Sequence, residues 1–242
     1  MKTIDNPENI SSDKRKILEK YFLKQIYLNF YSQLNPKRIP EGPIIELGSG
    51  GGFTKDVIGN LTTSDIIKGP GIDKVFSATK IPYKDSSISA YIMLDVFHHI
   101  KDPQKALYEM ERTLKSKGKI IMIEPWNSLW GKFVYKYLHH EHYDPKTKNW
   151  KTSGRGRMSD SNTALPWIIF YRDKEKLNDI FPGLKLISIR LHTPFLYLLS
   201  GGLKLPQLLP SFLYNPIRII DNLISTQVPQ ISMFATITLQ KK

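Results

Sequence analysis

The chain has 242 residues, 40% hydrophobic and 24% charged, enough for one sizeable α/β domain with elaborations and with no need for a second. It contains no cysteine, which excludes disulfides, thiolate-bound zinc and a cysteine nucleophile. A formal net charge of +13 favours encounter with an anionic partner, whether nucleic acid, a lipid surface or an acidic substrate, although solubility alone would also explain it.

Met1 to Asn9 is polar and lacks the apolar core of a signal peptide, so a cytoplasmic location is expected, with peripheral contact at a membrane left open. Ser11-Ser12-Asp13 reads as a helix cap. Ile17, Leu18, Tyr21, Phe22, Ile26 and Phe30 then follow at helical spacing, which predicts one amphipathic leading helix from Ser12 to about Leu34 within an N-terminal extension, residues 1–42. Pro36, Pro40 and Pro43 break the chain before a first strand at Ile44 to Leu47. That strand runs into Gly48-Ser49-Gly50-Gly51-Gly52-Phe53 and a predicted helix from Thr54 to Ile58. Glycines without a Cβ let a ligand lie against the main chain, and unpaired N–H groups of the helix would face it, so the stretch reads as a nucleotide-cofactor cradle. A dinucleotide fingerprint would place its third glycine at position 53, which is Phe53; an NAD enzyme is therefore the weaker contender. An acid after the second strand could grip ribose hydroxyls, with Asp65 preferred and Asp73 its rival. Gly69-Pro70-Gly71 leaves little room for a helix between strands two and three.

The pattern Glu46-x-Gly48-x-Gly50-x-Gly52 resembles motif I of the class I S-adenosylmethionine (SAM) dependent methyltransferases. Ser77-Ala78-Thr79-Lys80-Ile81-Pro82-Tyr83, Asp85-Ser86-Ser87-Ile88 and Leu94-Asp95-Val96-Phe97-His98-His99-Ile100 extend it. They are similar to the D-A-x-x-L-P-F, D-x-S-F and L-H-H-I runs of the type 11 group, which includes ubiquinone and menaquinone biosynthetic enzymes. Asp102-Pro103 then caps a helix, and Leu114 to Lys119 leads into strand five, Ile120 to Pro125. The resemblance implies a Rossmann-like α/β fold, a seven-stranded mostly parallel sheet with a C-terminal antiparallel strand, and a SAM-binding core over residues 43–126. It further implies that Glu46 and the main chain of Gly48, Ser49, Gly50 and Gly52 face the methionine end of SAM, that Asp65 takes the ribose, and that Ser77 and Ala78 meet the adenine. Ser77 stands where the family usually has an acid. Asp95, at the end of strand four, would lie beside the sulfonium; capping of the next element is its alternative role. His98 and His99 read first as packing or capping groups. Without cysteine, methylation at C5 of a pyrimidine by the usual covalent route is excluded.

Residues 127–170 and 193–231 read as substrate-side insertions. In the first, seven Lys/Arg face two acids between Gly131 and Arg157, with interleaved aromatics and the run Leu138-His139-His140-Glu141-His142. His140 and Glu141 are the candidate bases for O-methylation, and the irregular histidine spacing implies no metal. Leu184 to Leu191 and Ser232 to Leu239 read as strands six and seven, separated by an apolar insertion whose only charges are Lys204, Arg218 and Asp221. Its prolines and short apolar runs argue against a spanning helix. A lid over a lipid-linked or small-molecule acceptor, an anionic-membrane contact and a homodimer face remain open. A nucleic-acid acceptor is the less favoured rival, since the segment after strand four lacks the N/D-P-P-Y/F grip of base-amino methyltransferases, and a SAM-binding regulatory module without turnover is another.

Overall fold

The computed structural model describes residues 7–152 and 161–242; Arg155 and Arg157 of the basic segment lie outside them. Seven strands form one sheet: β1 Ile44–Leu47, β2 Leu61–Asp65, β3 Lys74–Val75, β4 Ile88–Leu94, β5 Leu114–Pro125, β6 Leu184–His192 and β7 Phe234–Lys241. Their order is β3-β2-β1-β4-β5-β7-β6, parallel throughout except that β7 runs antiparallel to both neighbours. The order reverses between β1 and β4, and such a reversal opens a crevice at the carboxyl ends of the strands.

β4 is apolar and buried on both faces, the composition that a central parallel strand requires. Its side chains, with those of β5, divide by alternation. Tyr91, Met93, Ile120 and Met122 pack with Leu107 and Met110 of α3 (Pro103–Thr113), and with Ile168, Phe170 and Phe181. Ile92, Ile121 and Ile123 pack on the other face against Phe22, Leu23, Ile26 and Phe30 of α2 (Tyr21–Leu34), and against α4 (Leu129–Tyr137). Asp102 caps α3 as expected, its carboxylate accepting from the Lys105 amide at 3.1 Å.

Several boundaries differ from expectation. The leading helix is two, α1 (Pro7–Glu19) and α2, parted at Lys20, whose extended backbone turns the chain. Apolar periodicity continues across that break, so the sequence does not show it. The Lys20 ammonium donates to the carbonyls of Gly202 (2.6 Å) and Leu205 (2.5 Å), tying the joint to the distant insertion. After the glycine loop there is a single 3-10 turn, Thr54–Asp56, in place of a helix to Ile58. No helix separates β2 from β3, as Gly69-Pro70-Gly71 suggested. β5 begins at Leu114, six residues early, because the Lys115 to Lys119 segment stays extended beside β4.

The insertion between β6 and β7 folds as α7 (Leu196–Leu199), a loop, and α8 (Tyr214–Gln227). Buried Asp221 of α8 accepts from the amides of Phe195 (2.8 Å) and Leu196 (3.1 Å), fixing α8 on the start of α7. No helix among the described residues is long and apolar enough to cross a membrane.

His192, at the end of β6, is buried with Nδ1 2.9 Å from Thr193 Oγ1 and Nε2 2.9 Å from Thr236 Oγ1. Burial, aided by the charge of Arg190, pushes its pKa down from 6.5 to about 3. The unfolded ring takes a proton that the native ring refuses, so this contribution is complete above pH 6.5 and drains as pH falls toward about 3. Urea titrations at pH 7 and pH 5 should show His192→Gln losing about 2 kcal/mol less stability between the two than the parent protein.

Candidate active site

The crevice at the reversal point is a cavity of about 1760 Å³. Its floor is the glycine loop. Gly48 and Gly50 take φ of +69° and +48°, and a Cβ at Gly48 would sit 2.6 Å from both Val96 methyls. At Gly50 the nearest atom to such a Cβ is 3.8 Å away, so the main chain there is bare toward the cavity. Phe53 donates its amide to Tyr31 Oη at 3.2 Å, which anchors the loop to α2.

Asp65 ends β2 at the cavity wall, one carboxylate oxygen accepting from Gly50 N (3.0 Å), the other from Ile66 N (2.7 Å). The second of these oxygens also accepts from Ile67 N at 3.3 Å, so Asp65 braces the loop. Its rival Asp73 is taken up structurally, accepting from Thr63 N (2.9 Å), Thr63 Oγ1 (2.9 Å) and Lys55 Nζ (2.6 Å). Glu46 is buried beneath the loop and accepts from Thr54 Oγ1 at 2.6 Å; burial raises its carboxyl to about 6 against that hydrogen bond. Ser77 and Ala78 line the same cavity, and the Ser77 hydroxyl closes a local turn by accepting from the Thr79 amide at 3.2 Å.

The far wall follows β4. Asp95 has φ of +59° and opens its side chain, 44% exposed, into the cavity. Enclosure by the cavity walls raises its carboxyl to about 7, with His98 opposing and Glu141 and Glu124 adding. Asp95 caps nothing: the following turn, Phe97–His99, has no side-chain cap. That turn is held by Glu124, fully buried on β5. One oxygen accepts from the Val96 and Phe97 amides (2.9 and 2.7 Å), the other from His98 Nδ1 (2.7 Å). His98 Nε2 lies 3.1 Å from Glu141, so both ring nitrogens meet carboxylate oxygens. Burial alone would lower the His98 pKa, but the two carboxylates outweigh it and raise it well above 6.5. Glu141 behaves conversely: burial would raise it, yet His98, His99 and His139 bring it down to about 2.

The two residues expected to act as bases are thus different in kind. Glu141 is nearly enclosed and committed to histidines, whereas His140 is 49% exposed with Nε2 3.9 Å from Glu141. His139, His140, Glu141 and His142 line the same cavity as Asp95. Glu124 escaped sequence reasoning, since one acid at the end of an apolar strand carries no periodic signal. Tyr27 and Tyr197, which also line the cavity, were missed because both sit at ordinary apolar positions. A second hollow of about 980 Å³ beside α3 contains none of the expected cofactor residues.

A methyltransferase-domain family model matches residues 60–122, spanning β2 to β5. No curated protein sequence matches the chain. Among solved structures, a possible histamine N-methyltransferase from Thermotoga maritima is similar with TM-score 0.57 and 15% identity over 98% of this chain and 100% of that one. The chain shares the fold of SAM-dependent methyltransferase structures, and its residues 60–122 match the methyltransferase-domain model. The geranyl diphosphate C-methyltransferase of Streptomyces coelicolor A3(2), solved with Mg²⁺, geranyl diphosphate and S-adenosylhomocysteine, has the same fold (TM-score 0.52, 11% identity, 95% and 83% covered). So does Haemonchus contortus phosphoethanolamine N-methyltransferase 2 (TM-score 0.53, 13% identity), of which this chain covers 58%. The bare main chain at Gly50, the acid after β2 and the cavity that joins them to Asp95 fit SAM.

Two substitutions separate the loop from its support. Gly48→Ala should lower both thermal stability and SAM affinity, while Gly59→Ala, with no atom within 4 Å of its Cβ, should leave both within error by scanning and titration calorimetry. Glu124→Gln should cost about 3 kcal/mol in urea unfolding, because it leaves the His98 cation facing one partner fewer.

Proposed function

We propose that the protein transfers the SAM methyl to an oxygen, or a carbon, of a small-molecule or lipid-linked acceptor. The observation that carries this reading is the extent of the cavity, which continues from the glycine loop past Asp95 to Tyr197, Leu198, Leu203 and Leu205 of the insertion. At about 1760 Å³ it exceeds the roughly 300–1,000 Å³ of single-ligand pockets, which supports room for cofactor and acceptor together.

SAM supplies the electrophilic methyl group. The chain's part is alignment and exclusion of water: the glycine loop and Asp65 hold the donor, and Asp95 faces the reacting centre. Ile17, Tyr27 and Tyr31 of the leading helices close one side. His140, half-exposed in the opposite wall, takes the acceptor proton when the acceptor is a hydroxyl, and Glu141 orients the histidine run around it.

The outer surface of the insertion supports a lipid source for the acceptor. Phe212, Ile219, Ile220 and Leu223 are 77%, 63%, 55% and 58% exposed on one side of α8 and the turn before it. Lys204 and Arg218 belong to the same insertion, within a chain of net charge +13. This is the arrangement of an interfacial contact with an anionic bilayer.

Isotope-labelled SAM incubated with lipid and aqueous extracts of the source cell should deliver label to the lipid fraction; label in RNA or DNA, or in nothing, would overturn the reading. His140→Gln should lower kcat about 100-fold with SAM affinity unchanged, and an unaltered kcat would remove His140 from catalysis. Phe212→Ser with Ile219→Ser should reduce flotation with phosphatidylserine vesicles. A change of oligomeric state in its place would assign the same face to a dimer.

A further inference from the structure

The tertiary structure gathers residues that lie far apart in the chain. His98 Nε2 is 3.1 Å from Glu141 Oε2, and His99 Nε2 is 3.7 Å from Glu141 Oε1. The ligand atoms of these three residues all lie within 4.8 Å of one another. Metal–nitrogen and metal–oxygen bonds of about 2.0–2.1 Å in a tetrahedral arrangement place ligand atoms about 3.4 Å apart.

A proton alone would satisfy His98 and Glu141. It does not account for His99, whose ring lies against that of His98 with centroids 4.0 Å apart and whose Nε2 turns to the other oxygen of the same carboxylate. The support around His98 is also that of a metal ligand: its other ring nitrogen donates to Glu124 at 2.7 Å, and Glu124 is itself fixed by the Val96 and Phe97 amides. His99 and Glu141 line the large cavity, so the centre has an entry path and an open side.

We propose that His98 Nε2, His99 Nε2 and the Glu141 carboxylate form a site for one divalent transition-metal ion, of the borderline class that takes imidazole and carboxylate ligands, with its remaining position open to the acceptor end of the cavity. The ion replaces the proton between His98 Nε2 and Glu141, and that proton leaves to solvent. The open position then accepts an oxygen of the acceptor and holds it toward Asp95. Only this last role rests on the methyl-transfer reading; the ligand set stands without it.

Cobalt(II) is the probe. The full chain, stripped with chelator and dialysed, should develop visible d–d absorption that saturates at one equivalent of Co²⁺. Glu141→Gln and His99→Ala should each weaken Co²⁺ binding at least 10-fold with unchanged circular dichroism, while His142→Ala, on the exposed part of the same histidine run, should bind as the parent does. Glu124→Gln should weaken it 10- to 100-fold. Absence of the bands in the parent, their persistence in both ligand variants, or their loss in His142→Ala would overturn the site. If either ligand variant unfolds, X-ray absorption of the cobalt-loaded parent decides: two imidazole shells are expected, and their absence sinks the assignment. SAM calorimetry on the same preparations separates this result from the methyl-transfer reading, since cobalt binding without SAM binding would sink only the latter.

Discussion

The Glu124 carboxylate is the constraint on which the site depends. It is buried at the end of β5 and reaches across to β4, where it accepts from two successive amides and from His98. Removing a carboxylate from water is expensive, and these partners offset the expense because each satisfies a lone pair in a low-dielectric setting. The consequence is geometric. The turn after β4 cannot relax, so Asp95 stays in its left-handed conformation with its side chain in the cavity, and His98 and His99 are held toward Glu141.

A second set of contacts closes the cavity from the opposite side. Tyr31 anchors the glycine loop, Lys20 ties the α1–α2 joint to the insertion, and Asp221 ties the insertion to itself. The insertion is apolar on two sides: Tyr197, Leu198, Leu203 and Leu205 line the cavity, while Phe212, Ile219, Ile220 and Leu223 meet solvent where a protein surface ordinarily places polar groups.

The histidine-rich segment carries opposing demands. Glu141 is drawn to a low pKa by the imidazoles around it, which makes it a poor proton acceptor and a good anchor. His139 beside it is pushed down to about 4, chiefly by burial, and so stays neutral at ordinary pH. One short run thus supplies an anchor, a neutral ring and the more exposed His140, three chemistries from neighbouring residues set apart by depth in the wall.

By itself the sequence located the glycine loop and the strands β1, β4 and β5, because these depend on local rules, apolar runs for buried parallel strands and glycines where φ is positive, while the seven-stranded sheet came from the family resemblance. It also located the apolar insertion and the absence of a helix between β2 and β3. The break at Lys20 and the loss of a helix after the glycine loop were decided by tertiary contacts that leave hydrophobic periodicity unchanged. The same holds for Glu124, Tyr27 and Tyr197, ordinary at their own positions and consequential only for what folding brings beside them. The meeting of His98 and His99 with Glu141 is the clearest instance: 43 residues separate His98 from its partner along the chain, and only packing of the first insertion over the end of β4 makes them neighbours.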